Sequence, residues 1–277
     1  MGIVRNNDIL IGDSVLLIHM EKIQNIYKVL VNEKLSPQYW RMIFDAPQLA
    51  SEVKPGQFVH IRTDAVGLQP FFRRPFSVYR AQKYVEIFYD VVGLGTRLLS
   101  LKEKGDTVDV LGPLGTPFVM PPEGIKQVVM VAGGIGVAPM LILSDLLKKK
   151  KYELLLLYGG RDRRHVYPMK EFKENGVKVH VATDDGSVGV KGRVSVLFDK
   201  INKYPQSTFI YTCGPHPMMK AVQAFGGQHG ILGQAASEEI MACGLGACLG
   251  CSIETKHGFK TVCHDGPAFN LDEIIFH

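Results

Sequence analysis

Four of the five cysteines fall in one short stretch, Cys243-Gly-Leu-Gly-Ala-Cys248-Leu-Gly-Cys251 and then Cys263. No other feature limits the fold of the chain so tightly. The spacing C-x4-C-x2-C…C is that of plant-type [2Fe–2S] ligation, in which four thiolates converge on two irons and the first three come from one tight loop. Gly244, Gly246 and Gly250 between them let backbone N–H groups approach the cluster sulfurs, where hydrogen bonds set the potential. A structural zinc site or unrelated buried thiols are the alternatives, but zinc ribbons and fingers present two separated close pairs, not three cysteines and one. Cysteines used in this way belong to metal or redox chemistry, not to a disulfide framework.

The rest of the chain must then supply something that feeds a one-electron carrier. At 277 residues there is room for two medium domains and a small appendage. Hydrophobic content of 46% beside 21% charged residues excludes a disordered or fibrous chain. The net charge of +5 is mild and spread out. Its densest run, Lys148 to Lys151, closes a helix, where cations complement the macrodipole, so nucleic-acid binding is not implied. No apolar run approaches the roughly 18 residues of a membrane span. Residues 1–18 are broken by Asp8, Gly12 and Asp13 and make a poor signal peptide. The default expectation is cytoplasmic. Met20-Glu21-Lys22 resembles a natural start, which leaves residues 1–20 as an N-terminal extension of unread role.

From Asn25 to about Gly112 short alternating segments are separated by turns. Tyr27-Lys-Val-Leu-Val-Asn, Tyr39-Trp-Arg-Met-Ile-Phe, Gln57-Phe-Val-His-Ile-Arg, Phe76-Ser-Val-Tyr-Arg and Val85-Glu-Ile-Phe-Tyr-Asp read as strands, with turns at Lys54-Pro-Gly-Gln and Lys104-Gly-Asp. The spacing predicts an antiparallel β-barrel over 21–120, interrupted by one helix that follows Gly93-Leu-Gly-Thr96. Pro113 to Gly124 reads as a link. Over 121–226 the pattern changes to buried strands, at Gln127, Glu153, Val177 and Thr208, alternating with helical stretches at 169–174, 194–200 and 217–225. That predicts a parallel α/β sheet. After Gly226-Gly227 the chain is expected to enter a small cysteine segment, 227–277, with a hairpin turn at Lys256-His-Gly-Phe.

Three further motifs carry chemistry. In Arg74-Pro75-Phe76-Ser77 a guanidinium can pair with a diphosphate and a hydroxyl can meet a ring edge, although Arg and Ser in a strand are more often surface residues. Gly93-Leu-Gly95-Thr96 at a helix start is either an anion site of free N–H groups or a plain N-cap. Gly133-Gly134-Ile-Gly136-Val-Ala-Pro139 follows a strand and opens a helix, the context of a dinucleotide loop, with Pro139 where the third glycine usually stands. Cys213-Gly214-Pro215 ends a later strand at the same sheet edge, where Cys213 alone reads as a small buried hydrophobe. In Gly159-Gly-Arg161-Asp162-Arg163-Arg164, Asp162 suits a ribose 2′-OH and the arginines suit a 2′-phosphate, so residue types leave NAD and NADP both open.

This order of motifs resembles the ferredoxin–NADP reductase superfamily. With Met241-Ala-Cys-Gly-Leu-Gly-Ala-Cys-Leu-Gly-Cys and Val262-Cys-His-Asp-Gly-Pro-Ala-Phe added, it is similar to the electron-transfer subunits of NAD-linked, class B dihydroorotate dehydrogenase, from about Ile26 to Ile275. The chain departs from the superfamily in its extra N-terminal residues and in Phe76, where many members have Tyr. The resemblance implies FAD bound in the barrel, a [2Fe–2S] cluster and NAD. It implies that Arg74 binds the FAD pyrophosphate, that Pro75 is among the cofactor-binding residues, that Phe76 lies beside the flavin or its ribityl chain and that Ser77 hydrogen-bonds near the flavin N5. Gly93, Gly95 and Thr96 would hold phosphate. Gly133, Gly134 and Gly136 would admit the dinucleotide, with Cys213 and Gly214 near the nicotinamide. Ser77 and Cys213 are then the catalytic candidates, and Cys243, Cys248, Cys251 and Cys263 the cluster ligands. His264 and Asp265 are expected to support the cluster or face a partner. The implied partner is an FMN-containing catalytic subunit, in a heterotetramer of two of each, passing electrons through the cluster and FAD to NAD⁺ in pyrimidine biosynthesis. An NAD(P)H–ferredoxin oxidoreductase or hydrogenase-type diaphorase subunit is the rival of the same architecture.

Overall fold

A computed structural model describes residues 23–63, 69–167 and 169–277, together with two short paired strands, β1 (Ile9–Ile11) and β2 (Ser14–Leu16). Most of the expected N-terminal extension lies outside the described residues. Six strands then close into a barrel: β3 (Ile23–Lys34), β4 (Tyr39–Phe44), β5 (Phe58–Arg62), β6 (Arg74–Ala81), β7 (Val85–Asp90) and β8 (Thr107–Leu114). Their order is β3-β4-β7-β6-β5-β8, and every neighbouring pair is antiparallel. Closure leaves no strand edge unpaired. Two short helices ride on it, α1 (Pro47–Glu52) and α2 (Leu94–Ser100). β8 runs through Pro113 to Leu114, so the link between units begins later than the proline suggested.

β5 explains how the barrel is built into the whole. Successive side chains on a strand point to opposite faces. Val59 and Ile61 therefore fill the barrel interior, while Phe58 turns outward and packs with Cys251, Ile253 and Cys263. A strand buried on both faces reads as a continuous apolar run, and Phe58-Val-His-Ile does so except for His60.

The second unit is a seven-stranded sheet. It uses β9 (Gln127–Gly133), β10 (Glu153–Gly160), β11 (Lys178–Thr183), β12 (Val190–Lys191), β13 (Thr208–Cys213) and β14 (Leu232–Ala236), interleaved with α3 (Ala138–Leu147), α4 (Lys170–Glu174) and α5 (His216–His229). The hairpin β15 (Ser252–Thr255) and β16 (Gly258–Thr261) turns at Lys256–His257 as expected, and β17 (Ala268–Asn270) ends the strand series. The sheet order is β12-β11-β10-β9-β13-β14-β17, parallel throughout except for β17.

One local expectation is corrected. Gly226-Gly227 does not end the sheet unit: α5 continues to His229, and Gly230 with φ 66° closes it as a left-handed cap. Gly226 is small because a Cβ there would lie 3.0 Å from the Ile231 carbonyl, where the chain returns into β14. The helical stretch expected at 194–200 is present, as a 3-10 helix.

Barrel and sheet share one core. Tyr39, Tyr79 and Phe88 of the barrel pack with Val128, Met130, Leu141 and Tyr158 of the sheet unit. Arg80 of β6 donates from Nε to Asp145 Oδ2 of α3 at 2.9 Å, and Asn175 Nδ2 donates to Asp145 Oδ1 at 2.8 Å. An interface this apolar, tied by charge-assisted bonds, holds the two units in one relative position. Among the described residues, no helix is long and apolar enough to cross a membrane.

Candidate functional site

The loop from Cys243 to Cys251 folds back on itself so that its N–H groups meet its own sulfurs. Leu245 N and Cys248 N donate to Cys243 Sγ, each at 3.4 Å, and Gly246 N donates to Cys263 Sγ at 3.1 Å. Cys263 N in turn donates to Cys251 Sγ at 3.4 Å. The thiols fall into two contacting pairs, Cys243 with Cys248 and Cys251 with Cys263. Among the described residues no three His, Cys, Asp or Glu side chains converge on a point that could hold a single ion. Two pairs of thiols, each fed by backbone donors, match a two-iron centre with two thiolates per iron. Burial works to raise the Cys243 thiol, but the N–H groups of Leu245 and Cys248 outweigh it and draw it down to about 6. Burial, with Cys251 beside it, pushes Cys263 up to about 12.

The three loop glycines differ in what they do. Gly246 gives its N–H to a sulfur. Gly250 has only an ordinary contact, 3.6 Å from the Cys248 sulfur. Gly244, at φ 69°, leaves room for a neighbour: a Cβ there would lie 2.5 Å from His60 Nδ1. Asp265 accepts from Thr261 N at 2.7 Å and Thr261 Oγ1 at 3.0 Å, bracing the turn after Cys263, while His264 rests on Asp265 at 3.2 Å. The segment is stapled to the chain beyond β8 through Thr116 N, which donates to Gly266 O at 2.6 Å.

In the barrel, Arg74 and the start of α2 come together across strands that the sequence separates. A Cβ at Gly95 would lie 3.0 Å from Arg74 Nε, so the missing side chain leaves the guanidinium room to lie along the helix start. A Cβ at Gly93 would meet nothing within 4 Å, which leaves open space beside the cation. Thr96 caps the helix: its hydroxyl accepts from Val92 N at 3.0 Å and Gly93 N at 3.2 Å. Phe76 is buried in the barrel, edge-on to Tyr89 at 5.8 Å. Register pairs Phe58 with Ser77 and His60 with Pro75, so Ser77 and Pro75 share the outward face of the ladder with Phe58 and His60.

The glycine loop and the Cys213 edge are pressed together. A Cβ at Gly136 would fall 2.3 Å from Cys213 O, and one at Gly133 2.8 Å from Met218 Sδ. A Cβ at Gly214, where φ is 148°, would lie 2.9 Å from Gly133 N. Tyr158 donates its hydroxyl to Gly134 O at 3.0 Å and Tyr39 to His165 O at 3.2 Å, so barrel and sheet tyrosines both brace this edge. Cys213 is buried, and its Sγ donates to Glu238 Oε1 at 3.6 Å. Burial, then the nearby carboxylate, keeps that thiol protonated. Glu238 is solvent-accessible, yet the chain packed around its carboxyl desolvates it and raises it above the usual value, against the opposing pull of Cys213. In the loop after β10, Asp162 is occupied within its own turn. It accepts from Arg164 N at 2.8 Å and holds the Arg164 and His165 side chains, which keep it well below the usual carboxylate range.

Sequence patterns did not point to His60, Glu238, Tyr39 or Tyr158. His60 sat inside an apolar strand and Glu238 lay outside every motif, so only the fold brings them to the site.

A family model described as the iron-sulfur cluster binding domain of dihydroorotate dehydrogenase B matches residues 238–275. Another, the oxidoreductase NAD-binding domain, matches residues 130–224. The chain is similar to the electron transfer subunit of dihydroorotate dehydrogenase B (NAD(+)) of Desulforamulus reducens, 36% identical over 90% of this chain and 97% of that one. Among solved structures it is similar to a chain of an NADH-dependent reduced ferredoxin-NADP oxidoreductase, with TM-score 0.80, 30% identity and 90% of both chains covered. The ferredoxin NADP+ reductase of Neisseria gonorrhoeae, solved with FAD and NADP, shares the fold at TM-score 0.63 and 20% identity, over 75% of this chain and 92% of that one.

Proposed function

The chain belongs to the family of electron transfer subunits of NAD(+)-linked dihydroorotate dehydrogenase B, and from that premise we propose how its residues divide the work. It is an oxidoreductase subunit of electron transport that uses FAD, a [2Fe–2S] cluster and NAD, and it works with a catalytic dihydroorotate dehydrogenase partner. Bound FAD supplies the chemistry that joins two-electron exchange with NAD⁺ to one-electron traffic with the cluster.

Cys243, Cys248, Cys251 and Cys263 hold the cluster, and the N–H groups of Leu245, Gly246 and Cys248 stabilise its negative sulfurs. Arg74 and Pro75, with Gly93, Gly95 and Thr96, hold the FAD pyrophosphate. Phe76 supports the flavin from inside the barrel, and Ser77 orients its ring edge. Gly133, Gly134 and Gly136 let the dinucleotide backbone approach, and Cys213 and Gly214 border the nicotinamide. Because Cys213 stays a thiol, it acts by shape and weak hydrogen bonding, not as a nucleophile.

The observation that carries this reading is that the cysteine loop packs on the outer face of the strand pair that bears Arg74 and Ser77. We place the barrel at 21–120 and the nucleotide unit from 121. The end of β14 at Ala236 supports a cluster segment that starts near 238, later than Gly227. A heterotetramer of two subunits of each kind and a cytoplasmic location follow from family resemblance alone.

The test is to purify the chain, record flavin and iron content, and add an FMN-containing partner subunit. Dihydroorotate-dependent NAD⁺ reduction by the complex, absent from either part alone, is the expected result. The neighbour at TM-score 0.80 favours one second reading, a ferredoxin-linked oxidoreductase subunit. A chain that carries both cofactors but exchanges electrons with ferredoxin, and never with dihydroorotate, would establish it.

A further inference from the structure

His60 is wholly buried, and among the described residues neither ring nitrogen makes a well-formed hydrogen bond; the polar group that the ring faces is the Cys243 backbone, an acceptor for its N–H. A buried polar group left in that state costs stability that a leucine of similar size would not. Its neighbours indicate what the imidazole does. It stands on β5 directly opposite Pro75, within the Arg74–Ser77 strip, and on the same outward face as Ser77. Phe58 meets it edge-on at 6.3 Å from below. On its far side the ring edge fills the place where any side chain at position 244 would stand, immediately after the first cysteine. The second half of the cysteine segment has its own anchor, the Thr116–Gly266 bond. The first half rests on His60.

We propose that His60 is a positioning residue. The imidazole fixes the Cys243–Gly244 turn against the flavin strip of the barrel and so sets how well the cluster and the flavin exchange electrons. This rests on the cofactor assignment above and deepens it. Gly244 and His60 form one device: the glycine admits the ring, and the ring fills the gap that the glycine leaves. A displacement of about 1 Å between reacting partners can cost up to a hundredfold in rate, so one side chain at the contact is enough to govern the step.

The test uses the full-length protein loaded with FAD and cluster, as wild type, His60→Leu and His60→Gln. NADH is mixed in rapidly under anaerobic conditions. Flavin bleaching is followed optically and cluster reduction by freeze-quench EPR, and the readout is the ratio of the two rates. The ratio is expected to fall at least tenfold in His60→Leu and to recover in His60→Gln, which keeps a polar N–H of similar reach. A tenfold change in the cluster's reduction equilibrium, about 59 mV for one electron, supports the same conclusion by redox titration. Loss of the cluster from a folded, flavin-loaded His60→Leu also supports it, since the loop has then lost its hold. If His60→Leu does not fold, His60→Ala is measured in the same way. Ratios within twofold of wild type in every cluster-containing variant overturn the proposal. Wild-type protein without flavin or cluster defeats the cofactor assignment instead, and is detected before any variant is compared.

Discussion

Gly136→Ala is the sharpest test of how the nucleotide edge is packed. A methyl group there would lie 2.3 Å from Cys213 O, 2.5 Å from Cys213 C and 2.8 Å from Gly214 Cα. All three are backbone atoms, so no side chain can rotate away. Cβ atoms do not come closer than 3.0 Å to such neighbours, and the difference from 2.3 Å forces the loop and the β13 edge about 0.7 Å apart. Overpacking of this kind costs about 1–3 kcal/mol, a fall in Tm of roughly 2–10 °C for a chain of this size. The displaced loop is also the one assigned to the dinucleotide, so KM for NADH in a ferricyanide assay is expected to rise on the order of tenfold. Flavin and iron content should stay at wild-type levels, because Arg74 and the cysteines lie elsewhere. Gly227→Ala is the control: it is exposed in α5 with nothing within 4 Å of the new methyl, and is expected to stabilise by about 0.5–1 kcal/mol. If Gly136→Ala melts with or above wild type and keeps its KM, the close approach of loop and edge described above is wrong.

Three further outcomes follow from the same packing. Asp145→Ala leaves Arg80 and Asn175 without their shared acceptor, and should destabilise by about 2–4 kcal/mol, read as a lower chemical-denaturation midpoint. Burial, only partly offset by Arg41 and Arg80, raises the Glu86 carboxyl above its unfolded value of 4.5. The folded chain therefore prefers that group protonated, and stability is lost as pH rises through the folded value. Glu86→Gln, which mimics the protonated form, should be more stable than wild type at pH 7–8, with the advantage vanishing below about 4.5 in Tm measured across pH. Arg74→Ala should give protein depleted in FAD but not in iron, by absorbance and metal analysis; equal loss of both would separate Arg74 from flavin binding.

Much of the architecture was legible because local patterns and global fold agree. Alternation marked the barrel strands, and the apolar runs at Gln127 and Thr208 marked the buried parallel ones. The cysteine spacing located its own loop, since a loop of that length can be argued from sequence neighbours alone. What could not be read depends on contacts between distant residues. Gly226-Gly227 looked like a stop, but Gly226 is small to let Ile231 return, which only the tertiary path reveals. β17 has three residues and no periodicity to detect, so its place beside β14 comes from pairing alone. Arg74 against Gly95, and His60 against Gly244, are matches of shape across about 20 and about 180 positions of chain, invisible to any window.

β17 also bears on how the protein is made. The antiparallel strand that finishes the sheet lies at Ala268–Asn270, far along the chain from the barrel, which is complete by Leu114. During translation the barrel can fold while the rest is still being added. The open side of β14 must wait for β17 to be made, with its N–H and C=O groups available to any stray strand in the meantime. Truncation just short of position 268 would therefore do more than trim a tail: it would leave a sticky, half-finished edge on an otherwise folded molecule.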